Sequence, residues 1–295
     1  MLLRIEHTTR FTYSDRVYIE PMTIRLRPRS DSWQSLHQFK MNIDPAPKGV
    51  SESIDLEGNS VSSIWSTGLL NALTLKAESL VETLQDNPFN FILTDTQALS
   101  LPVKYDPVFG NALDPYLTRE YSSEDIHDFT HTLLKEFGSN TISFLTSLNQ
   151  YIHQNFNRIL RKDGDPLHPS ELLQTREGAC RDLAVLFMDI CRVLGLATRY
   201  TSGYFFADDE DFDQHELHAW VEVYLPGGGW RGYDPTHGLA VADRHVAIAS
   251  ACTPALTTPT YGMYRGTGIS SSLEYDINIK QVDSIENHNG AASQG

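Results

Sequence analysis

Cysteine is scarce in this chain. Three stand among 295 residues: Cys180, Cys191 and Cys252. A small, odd number makes no disulfide framework and suits a reducing compartment, where each thiol is either buried packing or a reactive group. Positive charge is also short. Lys and Arg number 23 against 38 Asp and Glu, for a formal net charge of −15. That balance argues against nucleic acid, whose phosphates need a basic face, and against an anionic membrane surface. No apolar run approaches the ~18 residues of a spanning helix. The opening MLLRIEHTTRFTY has no basic segment ahead of an apolar one, and Arg4 and Glu6 interrupt it, so it does not read as a signal peptide. A soluble, cytoplasmic protein is the expectation. What remains, 40% hydrophobic and 21% charged, is the composition of a folded globular chain.

The first hundred residues read as strands. Phe39, Met41 and Ile43 alternate with polar residues, as do Leu73, Leu75 and Ala77, and turn signals such as DPAPKG from Asp44 and DLEGN from Asp55 separate such runs. Half-buried antiparallel strands of this kind predict a β-sandwich over 1–100. LPVKYDPVFGNALDPYL, with three prolines, reads as a surface linker, and the linker is placed at 101–119. Helical spacing follows in Ile126, Phe129, Leu133 and Phe137, with Ser122 or Ser123 as cap and Gly138 as stop. It recurs in Ile142, Leu145, Leu148 and Ile152, and again in Leu183, Leu186, Phe187, Ile190 and Leu194 before Gly195. ATRYTSGY, HAWVEVYL and WRGYD then read as strands, with PGGG as a hairpin turn. Helices followed by an antiparallel sheet make an α+β domain, placed at 120–280, with a final strand in SSLEYDINIK and a frayed tail at 281–295.

The chemistry centres on REGACRDLAVLF. Cys180 opens a helix, where the dipole and unpaired N–H groups favour a thiolate. Gly178 and Ala179 are expected to leave room for a substrate. Cys191 sits in mid-helix beside the apolar stripe and reads as core. A nucleophile needs a base and a group that orients it. His218 opens one hairpin strand and Asp234 ends the next. On the first strand His218, Trp220, Glu222 and Tyr224 share a face that reads as a cleft wall, while Ala219, Val221, Val223 and Leu225 read as core. Asp234 shares the face of His218 only if Tyr224 pairs with Trp230; a loop one residue shorter would separate them. Structural roles compete with each of these readings, and a Cys/His/Asp set could also hold zinc, though no paired-ligand spacing connects these residues. ADDEDFDQ fails the calcium-loop pattern, with Gln214 where glycine belongs and Trp220 where glutamate belongs. It reads as a solvated loop beside the site, with His215 at the surface. Arg181 and Asp182 read as structural neighbours of the thiol. No metal or other cofactor is called for.

GACRDLA, ATRYTSGY and HAWVEVYLPGGGWRGYDPTHG resemble the transglutaminase-like superfamily in order and spacing. IEHTTRFTY, IRLRPR and DLEGN resemble the N-terminal β domain of a bacterial branch provisionally named cysteine proteases. The resemblance spans nearly the whole chain except the tail. It implies a papain-like α+β catalytic domain with Cys180 as nucleophile, His218 as general base and acid, and Asp234, in its D-P-T block, orienting His218. The animal enzymes' tryptophan upstream of the cysteine is missing, since none lies between Trp65 and Cys180. The Cys180 N–H is one oxyanion donor, and Gln174 and Trp220 are candidate oxyanion or substrate contacts. The expected activity is thiol-dependent acyl transfer onto water, hydrolysing a peptide, protein or small amide. Transfer to an amine and a silent binding module of the same fold are the alternatives.

Overall fold

The computed structural model describes residues 1–121, 123–161, 164–207 and 216–284. The acidic run from residue 208, with His215, and the tail from residue 285 lie outside the described residues.

The first region is made of β1 (Leu2–Ile19), β2 (Met22–Ile24), β3 (Gln34–Asp44), β4 (Gly49–Ile54), β5 (Ser60–Trp65) and β6 (Leu70–Thr83). A second region follows, with α1 (Asp114–Leu117), α2 (Glu124–Phe137), α3 (Thr141–Asn155), β7 (Asn157–Arg158), α4 (Pro169–Thr175), β8 (Glu177–Gly178) and α5 (Cys180–Val193). Its sheet strands are β9 (Thr198–Phe205), β10 (Leu217–Leu225), β11 (Gly229–Asp234), β12 (Leu239–Ala240) and β13 (His245–Ala251). The chain ends in β14 (Thr260–Tyr261), β15 (Tyr264–Arg265) and β16 (Ser271–Gln281).

Two antiparallel sheets form the N-terminal sandwich. β3, β6 and β1 are neighbours in one, and β14, β2, β5 and β4 make the other. β15 and β16 complete the first along β1. SSLEYDINIK is therefore a strand, as its alternation predicts, but it pairs with β1, with Leu3 opposite Gln281 and Tyr13 opposite Ser271. Expected in the second domain, it instead closes the first. Alternation shows that a segment can be a strand, not which edge receives it.

β1 serves two cores. Its far end supplies Tyr13, Val17 and Ile19 to the sandwich, where they meet Met22, Ile24, Ile64, Leu73 and Leu75. Its near end supplies Leu3 and Ile5 to a second cluster, with Val81, Ile277 and Ile279, against Tyr204, Val246 and Ile248 of the other region. A shift in pairing with β6 between Thr12 and Val17 separates the two stretches. Such bulges bend and twist a long strand. The two regions thus share an apolar interface.

The second region is a five-stranded antiparallel sheet, β12-β11-β10-β9-β13, with helices packed on it. α5 is central. Every residue from Leu183 to Arg192 is buried, so the helix is enclosed beyond the single stripe its spacing suggests. Its apolar side meets Ala219, Val221, Val223 and Leu225, the strand face expected to be core. α2 and α3 form where predicted, with Ser123 before and Gly138 after α2.

The segment 101–119 is not a surface linker. Leu101 and Val103 are buried in the helical core. The Val103 N–H donates to Leu194 O, and the Tyr105 hydroxyl donates to Tyr224 O and accepts from the Ala197 N–H. The prolines dominate the sequence pattern, but the alternate apolar residues between them lie in an extended stretch and pack. Phe109 and Tyr116 from the same segment cover Tyr224 and Trp230. Most of the strand face expected as a cleft wall is consequently covered.

Candidate active site

Cys180 is the first residue of α5, and the residue before it has no side chain able to cap the helix. Asp182 does that work. Its carboxylate accepts the Ala179 N–H at 2.7 Å, the Leu167 N–H at 2.8 Å and the Arg161 guanidinium at 2.5 Å. This fully buried acid ties the helix start to the 161–167 segment, and its charge also suits the helix N-terminus. Arg181 donates to Arg161 O at 2.7 Å, joining the same frame. Gly178 is needed for packing and not for substrate access: a β-carbon there would lie 2.5 Å from Leu172 Cδ1 and 3.0 Å from Asp182 Cβ.

The hairpin has the register that places His218 and Asp234 on one face. Tyr224 pairs with Trp230 and Val221 with Tyr233. His218 and Asp234 meet through Nε2 and Oδ2 at 2.8 Å, both buried. Nε2 faces the carboxylate, which leaves Nδ1 as the other ring nitrogen. His218, Ala219 and Cys180 line one cleft of about 640 Å³, together with Arg158 and Tyr200. The N-terminal sheet also contributes to the lining, through His7, Thr9, Leu273 and Tyr275. Thr9 pairs with Tyr275 and Phe11 with Leu273, so this part of the lining is one strand pair. The cleft is therefore built from residues more than two hundred positions apart.

Electrostatics separate the three groups. Burial pushes the Cys180 thiol up to about 11, against the pull of the Arg158 guanidinium and with the repulsion of Asp234. Burial also lowers His218 from its ordinary range, although Asp234 opposes the change. Burial alone would raise Asp234, but His218 and the imidazole N–H bonds outweigh it and hold the carboxyl well below the usual range. Burial thus works against the charged form of Cys180 and His218, while the N–H donors around Asp234 favour its carboxylate.

Asp234 has more partners than His218 alone. Oδ1 accepts the N–H groups of Thr236, at 3.0 Å, and His237, at 3.3 Å. Oδ2 accepts from His218 and also from His237 Nδ1 at 2.7 Å and His245 Nε2 at 3.1 Å. The spacing of the sequence does not single out His237 and His245, although THGLAVADRH places both within eleven residues of Asp234. Ligand atoms of His218, Asp234 and His245 lie within 4.8 Å of one another, the chemistry of a metal site. Oxygen-to-nitrogen separations of 2.8 and 3.1 Å, with one oxygen central to three nitrogens, fit an acceptor among N–H donors. A second overlooked pair is His127 and His131, one turn apart on α2, whose Nε2 atoms are 3.1 Å apart at the surface. One ring N–H donating to the other ring's nitrogen accounts for that contact.

Two expected contacts are elsewhere. Gln174 is exposed on α4 and is not part of the cleft lining. Trp220 is 1% exposed, beneath the site, edge-on to His245 with ring centroids 5.2 Å apart. A large aromatic on the His218 face looked like a wall, but the sheet face there is covered. Cys191 is fully buried in the helical core, as expected, and Cys252 is half-buried with its N–H on Glu57.

Comparison with known proteins gives this architecture its family. Residues 131–235 match the transglutaminase-like superfamily and residues 3–82 the bacterial transglutaminase-like N-terminal region. The chain thus joins a transglutaminase-like core to the N-terminal domain of the bacterial branch. An uncharacterized protein of Mycobacterium bovis is 26% identical over 94% of this chain and 91% of its own length. The mouse kyphoscoliosis peptidase is 33% identical over 86 residues, covering 28% of this chain and 13% of its own. A solved structure from Cytophaga hutchinsonii, provisionally named a cysteine protease, shares the fold with a TM-score of 0.69 at 19% identity, over 97% of this chain and 93% of that one.

Proposed function

We propose that this protein is a thiol-dependent acyl-transfer enzyme that hydrolyses a peptide, protein or small amide. The observation that carries the proposal is the buried His218–Asp234 pair at 2.8 Å, in the same cleft as a half-buried thiol at a helix start. Cys180 Sγ attacks the carbonyl while His218 Nδ1 takes the thiol proton. A proton shift concerted with attack suits a thiol whose pKa burial pushes up. Asp234 stabilises the imidazolium that forms. The oxyanion develops near the first turn of α5, whose N–H groups lack intrahelical partners. His218 then protonates the leaving amine, leaving an acyl-thioester. Water, deprotonated by His218, attacks the thioester, and the acid and free thiol return. The local similarity to a protein named a peptidase supports amide hydrolysis.

Transfer to an amine shares the thioester and is the second reading. One observation favours it: residues of the N-terminal sheet line the same cleft as the thiol, and such walls help keep water from a thioester. The test offers one acyl donor to hydrolysis and to a labelled primary amine at rising concentration. Free acid as the main product throughout supports the hydrolase; amine product dominating at modest concentration makes the protein a transferase. If Cys180→Ala still forms either product at the wild-type rate, the thiol mechanism is wrong.

A further inference from the structure

Resting on that reading, we infer that His245 is a positioning residue of the catalytic unit: its Nε2–H holds Asp234 Oδ2 toward His218. The geometry starts from the three N–H groups around one oxygen. His218 comes from β10, His237 from the turn after β11, and His245 from the first position of β13. His237 is three residues from Asp234, and its contact belongs to the same turn that fixes Oδ1. His245 is different. It arrives from the far edge of the sheet, where β13 pairs with β9 and His245 lies opposite Phe205. It is therefore a tie between strands, independent of the Asp234 turn.

The side chain is built in. It is 2% exposed, with Phe205 at 4.9 Å and Trp220 at 5.2 Å between ring centroids. Gly203 lets this layer close: a β-carbon there would lie 2.5 Å from the Trp220 ring and 2.2 Å from Val246 O. Because Asp234 is an acceptor, the His245 nitrogen facing it must carry a proton. In a neutral ring the other nitrogen, Nδ1, is then an acceptor. That atom is buried without a partner among the described residues, and so is the Nε1–H donor of the touching Trp220. Trp220, expected at the cleft, thus packs from behind it against the His245 ring. The chain of contacts runs Trp220, His245, Asp234, His218.

The role is positional because a carboxylate without this tie keeps its charge and its turn but gains freedom to rotate Oδ2 away from His218. Losses of 10- to 100-fold are typical when a second-layer hydrogen bond that orients a working group is removed.

The experiment uses p-nitrophenyl acetate as acyl donor on the full chain, following the acylation rate and mass of the Cys180 peptide. His245→Leu should lower kcat for ester turnover by about 10- to 100-fold with KM changed less than about threefold. His245→Gln, whose amide nitrogen takes the Nε2 position, should recover most of the loss. His245→Asn, whose amide nitrogen takes the Nδ1 position, should not. Rates are expressed per folded molecule, with thermal unfolding of each variant alongside. Wild-type kcat in His245→Leu overturns the inference, and so does an equal loss in all three variants, which would mark a packing role. Cys180→Ala separates the underlying reading: full ester turnover there removes the acyl-enzyme itself, whatever His245 does.

Discussion

The two regions solve burial in opposite ways. The sandwich core is apolar, built on Tyr13, Val17, Ile24, Ile64, Leu73 and Leu75, and its stability comes from area removed from water. The helix-and-sheet region buries carboxylates as well, among them Asp182 and Asp234 beside a helix start and a thiol. A buried charge is costly unless every lone pair finds a donor, and each of these two acids accepts three or more hydrogen bonds. The difference implies that substitutions in the sandwich should change stability and leave chemistry alone, whereas those around the acids should change both.

The largest effects test the chemistry alone. Cys180→Ala and His218→Ala are expected to lower acyl-enzyme turnover by about 10⁴- to 10⁶-fold. Cys180→Ala should leave the thermal midpoint close to wild type. Turnover of the activated ester, checked for acyl groups on the Cys180 peptide by mass spectrometry, measures it. Persistent turnover in both variants would place the reaction elsewhere.

Asp234→Asn should affect both properties. An amide that donates where three N–H groups converge loses acceptors and sets donor against donor. Turnover is expected to fall by about 10²- to 10⁴-fold, since the His218 tautomer is no longer held. Denaturant unfolding should show a loss of about 3 kcal/mol. Loss of one without the other would separate the orienting and structural roles of this carboxylate.

Leu75→Ala probes the other side of the comparison. It should cost about 2–5 kcal/mol of stability from the lost apolar contacts and residual cavity. Acylation per folded molecule should stay within about twofold. A large drop in acylation at constant folded fraction would show that the sandwich core, and not only its outer wall, is coupled to the site.

His7 lies where the regions meet, on the cleft wall, and bonds the Tyr204 hydroxyl at 2.9 Å. Burial lowers its pKa to about 4 from 6.5. The unfolded chain therefore binds this proton more readily than the folded one. Its contribution is present in full above about 6.5 and is lost as pH falls toward 4, amounting to about 3 kcal/mol across that window. His7→Phe should flatten the stability profile between those limits, read by urea unfolding at several pH values. An unchanged slope would assign the acid sensitivity to other groups. The smallest effect is expected at Gln174, where substitution by alanine should change turnover less than about twofold, measured with the same ester, because the side chain is exposed outside the cleft.

The sequence by itself determined the local pieces. Periodicity gave α2, α3 and α5, and the placement of Cys180 at a helix start followed from apolar spacing beginning at Leu183. The hairpin condition was legible because strand parity is strict: once Tyr224 faces Trp230, Asp234 shares a face with His218. Tertiary structure decided what lies across from each piece. Leu101, Val103 and Tyr105 look like a proline-rich connection until a core is there to receive them. β16 looks like any alternating strand until β1 offers an edge. Gly178 looks like an opening, yet Leu172 and Asp182 fill the space beside it. His245 looks like one more strand residue until β13 carries it to Asp234. Local pattern records which face of an element is apolar and which residues can cap or turn. The partner of that face is fixed only when distant segments pack, since shape and hydrogen-bond satisfaction at a contact depend on both sides at once.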